Sequence, residues 1–257
     1  MVAVRAGEGW SLPAVVCDAR VTTSGGWATA LPRVLADTEG PSWCIGVHPV
    51  LTVGVDRAAV ETALCGGGLW CPAPGCGRRL VPWGSARERG VRGVGRLTPR
   101  RARCSGCRRT HVLLPASVLL RRADAVTVIG VALLARASGG GHRRVAELVG
   151  RPASTVRGWL RRIGQVAARV LAVFVAAAAE FGAEFVVPAP TTDLVGAVVE
   201  LVGAVARAAA RRLGGSCEPW RLAAVISGGR LLAPTGPDLG SGVGVAGNTS
   251  RPWAGDP

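Results

Sequence analysis

The sequence predicts a mainly α-helical protein with one small β domain in front of its helices. Two observations lead to this fold class. Apolar residues recur at helical spacing from about residue 125 onward, and glycine and proline separate the periodic segments. Upstream of them, two close pairs of cysteines enclose a turn-rich segment with strand-like alternation.

These changes of pattern divide the chain into five segments. The first is rich in Gly and Pro and is expected to be a poorly ordered extension, or upstream DNA translated from an early start codon. The last is rich in Gly, Pro and Ser and is expected to be disordered. The boundaries are 1–52 for the extension, 53–115 for the β domain, 116–164 for a three-helix domain, 165–235 for a C-terminal helical region and 236–257 for the tail.

The cysteine pairs carry the strongest local signal. Four residues separate Cys71 from Cys76, and two separate Cys104 from Cys107. Such pairs wrap tight turns around opposite sides of a tetrahedral ion, as in a zinc ribbon. We therefore predict a structural Zn²⁺ held by these four thiolates. Unligated cysteines are the alternative.

Two further residues near the pairs, Cys65 and His111, are candidate substitute ligands. The remaining cysteines are unevenly spaced, and the first residues lack the unbroken apolar core of a secretory signal. We expect a cytoplasmic protein, because close cysteine pairs in a reducing compartment indicate metal rather than disulfides.

Three helices are predicted after the β domain, at 125–137, 142–149 and 153–162. Glycine and proline at 150–152 separate the second from the third. On the third helix Val156, Trp159 and Ile163 share one side, and small, hydroxyl or guanidinium side chains occupy the other. This pattern predicts a helix-turn-helix whose last helix enters the DNA major groove, although similar helix pairs also occur in ordinary bundles.

Positive charge is concentrated in the same part of the chain. Residues 71–170 hold 21 of the 31 arginines and three acidic residues, while the whole chain has a net charge of +15. A surplus of this size favours a polyanionic partner, which we predict to be double-stranded DNA. The predicted base contacts are Ser154, Thr155, Arg157 and Arg161, and the predicted phosphate contacts are Arg143, Arg144, Arg151 and Arg162.

Arginines also alternate with Gly, Val and Leu between the cysteine pairs, where they can follow a phosphate backbone. Trp83 lies in this segment. We interpret it as packing over the ribbon, with stacking on a base as the alternative.

These motifs resemble an actinobacterial zinc-ribbon and helix-turn-helix family that is similar to the N-terminal DNA-binding region of insertion-sequence transposases. The resemblance rests on CPAPGCGRRLVPWGSARERGVR, RRARCSGCRRTHVLLP and ADAVTVIGVALLARASGGGHRRVAELVGRPASTVRGWLRR. It implies zinc ligation by the four paired cysteines and DNA contact by the helix from Ser154 to Arg161. The wider first cysteine pair departs from the two-residue gap common in that family.

A C-terminal helical hairpin is predicted from two longer helices, at 165–185 and 193–213. They can pair within one chain or between the subunits of a homodimer, and the sequence leaves both open. Arg169, Glu180 and Glu184 interrupt the first helix before about 20 apolar residues are reached, so no membrane span is predicted.

No catalytic centre is predicted. A metal-dependent transposase needs three carboxylates on a mixed sheet, and the acidic residues after Val170 fall mostly on predicted helices or in the tail. The sequence favours a transcriptional regulator or an accessory protein that works beside a mobile-element transposase. The alternatives are a transposase remnant and a general RNA-binding zinc protein, which an aromatic content of 4% disfavours.

Overall fold

The computed structural model describes residues 50–73, 75–184 and 193–237. The extension predicted up to residue 49 and the tail from 238 lie outside the described residues. Mainly α-helical structure with a small mixed sheet is found, as the fold class predicts. The predicted extension is wrong at its end, because Val50–Val53 is a strand.

The small sheet, here called the cysteine sheet, has four strands in the order β1-β6-β5-β2. Strand β1 runs parallel to β6, and the other neighbours are antiparallel. The chain between β2 and β5 forms a separate two-stranded hairpin, β3-β4. The strands are β1 Val50–Val53, β2 Leu80–Ser85, β3 Arg89–Val91, β4 Gly95–Leu97, β5 Arg100–Cys104 and β6 Thr110–Pro115.

One face of the cysteine sheet is covered by helix α1, Arg57–Cys65. Asp56 caps this helix, because its side chain accepts hydrogen bonds from the backbone N–H groups of Ala58 and Ala59. Leu64 of α1 is 1% exposed and packs into a small core with Leu80 and other sheet residues. One face of the cysteine sheet is therefore buried beneath α1, and the opposite face is available for other contacts.

Five helices form the rest of the described chain, here called the helical bundle. They are α2 Val126–Ala137, α3 His142–Val149, α4 Ala153–Phe181, α5 Leu194–Leu213 and α6 Pro219–Ile226. One continuous apolar core contains buried residues from all five. The predicted helices at 125–137, 142–149 and 193–213 are each found to within one residue.

Helix α4 differs from the sequence prediction. The predicted helices 153–162 and 165–185 are one uninterrupted helix of 29 residues, about 43 Å long. The intervening Gly164 costs roughly 1 kcal/mol of helix propensity, but burial of Ile163, Val166 and Ala167 on either side outweighs that cost. The boundary suggested at residue 164 consequently lies inside a helix.

The second half of α4 packs along α5 within the same chain, so the helical hairpin forms without a second subunit. Helix α4 is the only described helix that is long and apolar enough to cross a membrane. Core residues such as Val170, Phe174 and Ala177 of this helix are completely buried. Packing against α5 therefore accounts for its apolar composition.

Helix α6 was not predicted, although its start carries a clear signal. The Glu218 carboxylate accepts hydrogen bonds from the backbone N–H groups of Trp220 and Arg221, and Pro219 occupies the first turn. Trp220 then lies directly over Gly130 of α2. This contact anchors the end of the described chain to the start of the helical bundle.

The loop after α6 joins the helical bundle to the cysteine sheet. The carbonyl of Gly229 accepts a hydrogen bond of 2.8 Å from the N–H of Leu120. A Cβ at Gly229 would lie 2.9 Å from Leu114 Cδ2, so the loop backbone rests on strand β6. The bundle thus covers the β1 and β6 side of the sheet.

We expect Gly130→Ala to destabilise the protein, since the added methyl group would overlap the Trp220 ring. Overpacking of a filled core costs about 1–3 kcal/mol, and urea unfolding measures it. The matched control is Gly164→Ala, which also replaces a glycine inside a helix but has open space at the Cβ position. The control should be neutral or more stable; equal destabilisation of both variants would contradict the packing argument.

Candidate metal centre and nucleic-acid interface

Four cysteines from two separate turns meet at one end of the cysteine sheet. The Sγ atoms of Cys71, Cys76, Cys104 and Cys107 all lie within 4.8 Å of one another. Cys71 and Cys107 are 3.6 Å apart, and Cys76 and Cys104 are 3.4 Å apart. Tetrahedral zinc with Zn–S bonds of about 2.3 Å requires sulfur separations of roughly 3.8 Å. The four side chains can therefore hold one metal ion.

Backbone geometry brings the two turns together. The N–H of Cys71 donates to the carbonyl of Arg78 across the first turn, and the N–H of Cys104 donates to the carbonyl of Arg109 across the second. The N–H of Gly106 donates to Cys104 Sγ at 3.3 Å. A Cβ at Gly106 would lie 2.5 Å from Arg78 Cγ, so only glycine permits this approach.

The two candidate substitute ligands take other positions. Cys65 is exposed at the end of α1 and lies outside the four-sulfur group. His111 is 2% exposed and its Nε2 is 3.5 Å from Cys71 Sγ. In this position the imidazole can hydrogen-bond a ligating thiolate, the outer role that commonly tunes a metal site.

The environments of the thiols differ across the group. Burial raises the pKa of Cys71 to about 12. Hydrogen bonding to the backbone of Arg78, with help from Cys104, lowers the pKa of Cys76 to about 6. At neutral pH the buried thiol must give up its proton before it can bind a metal ion, so metal binding is coupled to proton release.

A buried carboxylate connects the β3-β4 hairpin to the turn between α3 and α4. Asp124 is 2% exposed and accepts two hydrogen bonds from Arg92, at 2.9 and 2.8 Å. Its Oδ1 also accepts a bond of 2.6 Å from Arg151 Nε. Burial alone would raise the pKa of Asp124, but the hydrogen bonds from Arg92 and Arg151 outweigh it and hold that pKa below its usual value.

The first turns of α4 have the two faces that the sequence predicts. Val156, Trp159 and Ile163 are buried. On the opposite side Ser154, Arg157 and Arg161 are exposed and Thr155 is half-buried. Since Ser154, Arg157 and Arg161 are spaced three and four residues apart, they share one helical face.

Helix α3 adds further exposed cations beside that face. Arg143 and Arg144 are exposed, and Arg143 lines a shallow groove between α3 and the start of α4. Leu148 of the same helix is 60% exposed.

The structure gives Arg151 a different role from the predicted phosphate contact. Its guanidinium is occupied by Asp124 and by the carbonyl of Gly150. Its side chain is only 19% exposed. The arginine therefore holds the turn between α3 and α4 and is not presented to solvent as an anion-binding group.

Arg162 has a neighbour that the sequence reading missed. Burial lowers the pKa of Arg122, and the nearby charge of Arg162 lowers it further. Arg122 also donates a 2.7 Å hydrogen bond to the carbonyl of Leu232. Two neighbouring guanidinium groups repel each other, and a bound anion between them would relieve this repulsion.

We expect the chain to bind one Zn²⁺, and Cys104→Ser to weaken binding strongly because it removes a buried ligand. Cys65→Ser is the matched control and should bind like the parent chain, since Cys65 lies outside the four-sulfur group. Competition titration with a chromophoric chelator measures both affinities. The parent affinity should rise at least about tenfold per pH unit between pH 6 and 8, because each proton released contributes one decade.

We expect Asp124→Asn to destabilise the chain by about 3 kcal/mol, the usual cost of breaking a buried ion pair. The matched control Glu88→Gln removes an exposed pair with Arg96 and should cost less than about 1 kcal/mol. Because the folded-state pKa of Asp124 is lowered, its contribution is present above pH of about 4 and is lost as the pH falls through that lower value. Urea unfolding at pH 7 and at a series of pH values below about 4 should show the difference in unfolding free energy between the parent and Asp124→Asn becoming smaller as the pH falls. A difference that grows in acid would contradict the assignment.

Comparison with known proteins supplies no family for this arrangement. No family model, no curated protein and no solved structure matches the chain. The functional argument therefore depends on the chemistry of the site itself.

Proposed function

We propose that this protein binds double-stranded DNA sequence-specifically through the first turns of α4, with a structural Zn²⁺ on the four cysteines. The observation that carries the proposal is the exposed face formed by Ser154, Arg157 and Arg161. An α-helix about 10–12 Å across fits a major groove about 12 Å wide. Guanidinium and hydroxyl groups are suited to the base edges displayed there.

Unpaired charge supports this proposal. Arg143, Arg144, Arg157, Arg161 and Arg162 form no ion pair with a carboxylate in the described ranges. Arginines without a counter-ion on one surface attract phosphate and release condensed cations from DNA. The exposed cations of α3 are suited to phosphates beside the groove, and Arg157 and Arg161 to base edges.

The shape of the domain also supports the proposal. Helices α2 and α3 and the start of α4 pack around a common core, with Gly150 in the left-handed conformation at the turn. This is the arrangement that a helix-turn-helix requires, with its last helix presented outward. The asymmetry between the buried and exposed faces of α4 leaves the basic side available.

Zinc is the metal we propose, because a set of four thiolates favours it and leaves no open coordination position for catalysis. Its role would be to stabilise the cysteine sheet, whose own core is small. The cellular role we propose is a cytoplasmic transcriptional regulator or an accessory protein of a mobile element, in keeping with the resemblance to transposase DNA-binding regions.

We expect Arg157→Ala to reduce discrimination between a duplex selected from a random pool and a scrambled duplex by about 1–3 kcal/mol, because it removes a base contact. Arg144→Ala should instead weaken binding to both duplexes alike and reduce the salt slope by about 0.9, one phosphate contact. Fluorescence anisotropy in a salt series with zinc-loaded protein measures both effects.

The same experiment tests the proposal as a whole. A preference of about 10³-fold for the selected duplex over the scrambled one lies in the range of specific binders. Equal losses on both duplexes for Arg157→Ala would remove the base-reading role. Binding to all duplexes alike that disappears with salt would contradict sequence-specific recognition.

A further inference from the structure

Two tryptophans are exposed on the cysteine sheet, although large aromatic side chains are usually covered. Trp83 is 53% exposed and Trp70 is 46% exposed. Trp83, predicted to pack over the ribbon, is covered over only about half of its surface. Each indole has an arginine over its ring, Arg103 at 4.4 Å from the Trp83 centroid and Arg79 at 5.4 Å from the Trp70 centroid.

These residues share one face of the sheet. Leu80, Ala102 and Cys104 are buried on the side covered by α1. Since side chains alternate along a strand, Val81, Arg101 and Arg103 lie on the opposite side. We call this opposite side the tryptophan face and define it by Trp70, Arg79, Val81, Trp83, Arg101 and Arg103.

Trp83 lies on this face at a β-bulge. Pro82 pairs with Ala102 and Gly84 pairs with Arg101, so Trp83 is an extra residue without a partner in the ladder. Gly84 has φ of +118°, a conformation that favours glycine. Bulges of this kind redirect side chains and occur frequently beside functional sites. The local backbone is thus bent where the tryptophan is exposed.

The tryptophan face carries positive charge that no acid of the described chain neutralises. Of the acidic residues described between 50 and 115, Asp56 caps α1, Glu61 pairs with Arg100 and Glu88 pairs with Arg96. Arg101 is exposed. Arg79 lies against the Trp70 ring, and Arg103 lies against the Trp83 ring and donates a hydrogen bond to the carbonyl of Arg108. The face is complementary to a polyanion.

The aromatic rings decide which polyanion fits. An exposed indole can stack on a base only when that base is unpaired, because paired bases are stacked inside the duplex. Arginines between the two rings are suited to the phosphates that link successive nucleotides. We propose that the tryptophan face binds a single-stranded segment of nucleic acid, with Trp83 stacking on a base and Arg101 and Arg103 contacting phosphates.

The proposed site is separate from the one on α4. The helical bundle covers the β1 and β6 side of the sheet through Gly229 and Leu114, and leaves the β2 and β5 side open. A protein with both surfaces can hold a duplex on α4 and unpaired nucleotides beside it. Single-strand binding does not depend on the proposed function, since it uses different residues.

The test uses the zinc-loaded full chain and a labelled 12-nucleotide oligothymidylate in fluorescence anisotropy. Trp83→Ala should lower the affinity by roughly tenfold or more, the usual loss for one stacked base. Trp83→Phe keeps a ring and should retain most of the affinity. Oligothymidylate should quench the tryptophan emission of the parent chain, and much of this quenching should be lost in Trp83→Phe.

The charge contribution is tested by Arg103→Gln, which should weaken binding and reduce the salt slope by about 0.7. Its matched control is Arg96→Gln, which removes an arginine of the same domain that lies off the tryptophan face and is paired with Glu88. Metal content and thermal melting of each variant establish that the sheet remains folded. Duplex binding by Trp83→Ala should equal that of the parent chain.

Three results would overturn the proposal. The first is equal affinity of the parent and of a folded Trp83→Ala chain for oligothymidylate. The second is binding to phosphatidylserine vesicles without binding to the oligonucleotide. The third is a loss of affinity in Trp83→Ala that is as large for duplex as for single strand. Failure of duplex binding with intact single-strand binding would remove the proposed function and leave this inference standing.

Discussion

The buried carboxylate of Asp124 is the interaction on which the arrangement of the two parts depends. It accepts hydrogen bonds from Arg92 at the end of β3 and from Arg151 in the turn before α4. Burying a charged carboxylate destabilises the folded state, and the hydrogen bonds from the two guanidinium groups offset that destabilisation. Asp124 therefore joins the β3-β4 hairpin to the start of α4. Backbone hydrogen bonds of Arg92 with Ala123 and Ala125 extend the same junction.

This junction links the stability of the cysteine sheet to the position of α4. The four cysteines bring the two turns of the cysteine sheet together, and the hairpin between its strands carries Arg92. From Arg151 onward, α4 continues without a break into the core formed with α5. Disruption of the cysteine sheet would therefore loosen one anchor of the first turns of α4, while packing against α5 and α6 preserves the other.

The arginines of this chain divide into two groups with different physical roles. Arg92, Arg100 and Arg151 have acidic partners and hold segments together. Others, on α3, α4 and the tryptophan face, have no carboxylate partner in the part of the chain that the structure describes. The amino-acid composition does not distinguish the two groups, but only the second group has positive charge that can attract a polyanion. Arg151 belongs to the first group because Asp124, 27 residues away, happens to lie beside it.

Local patterns in the sequence determined the cysteine pairs, the Asp56 cap, the β6 strand and the starts of α2, α3 and α4, because spacing, capping and glycine turns act within a few residues. Tertiary structure decided the rest. The parallel pairing of β1 with β6, the seat of Trp220 on Gly130 and the exposure of Trp83 depend on contacts between residues far apart in the chain. The continuity of α4 through Gly164 is of the same kind, since burial against α5 outweighs a weak local preference.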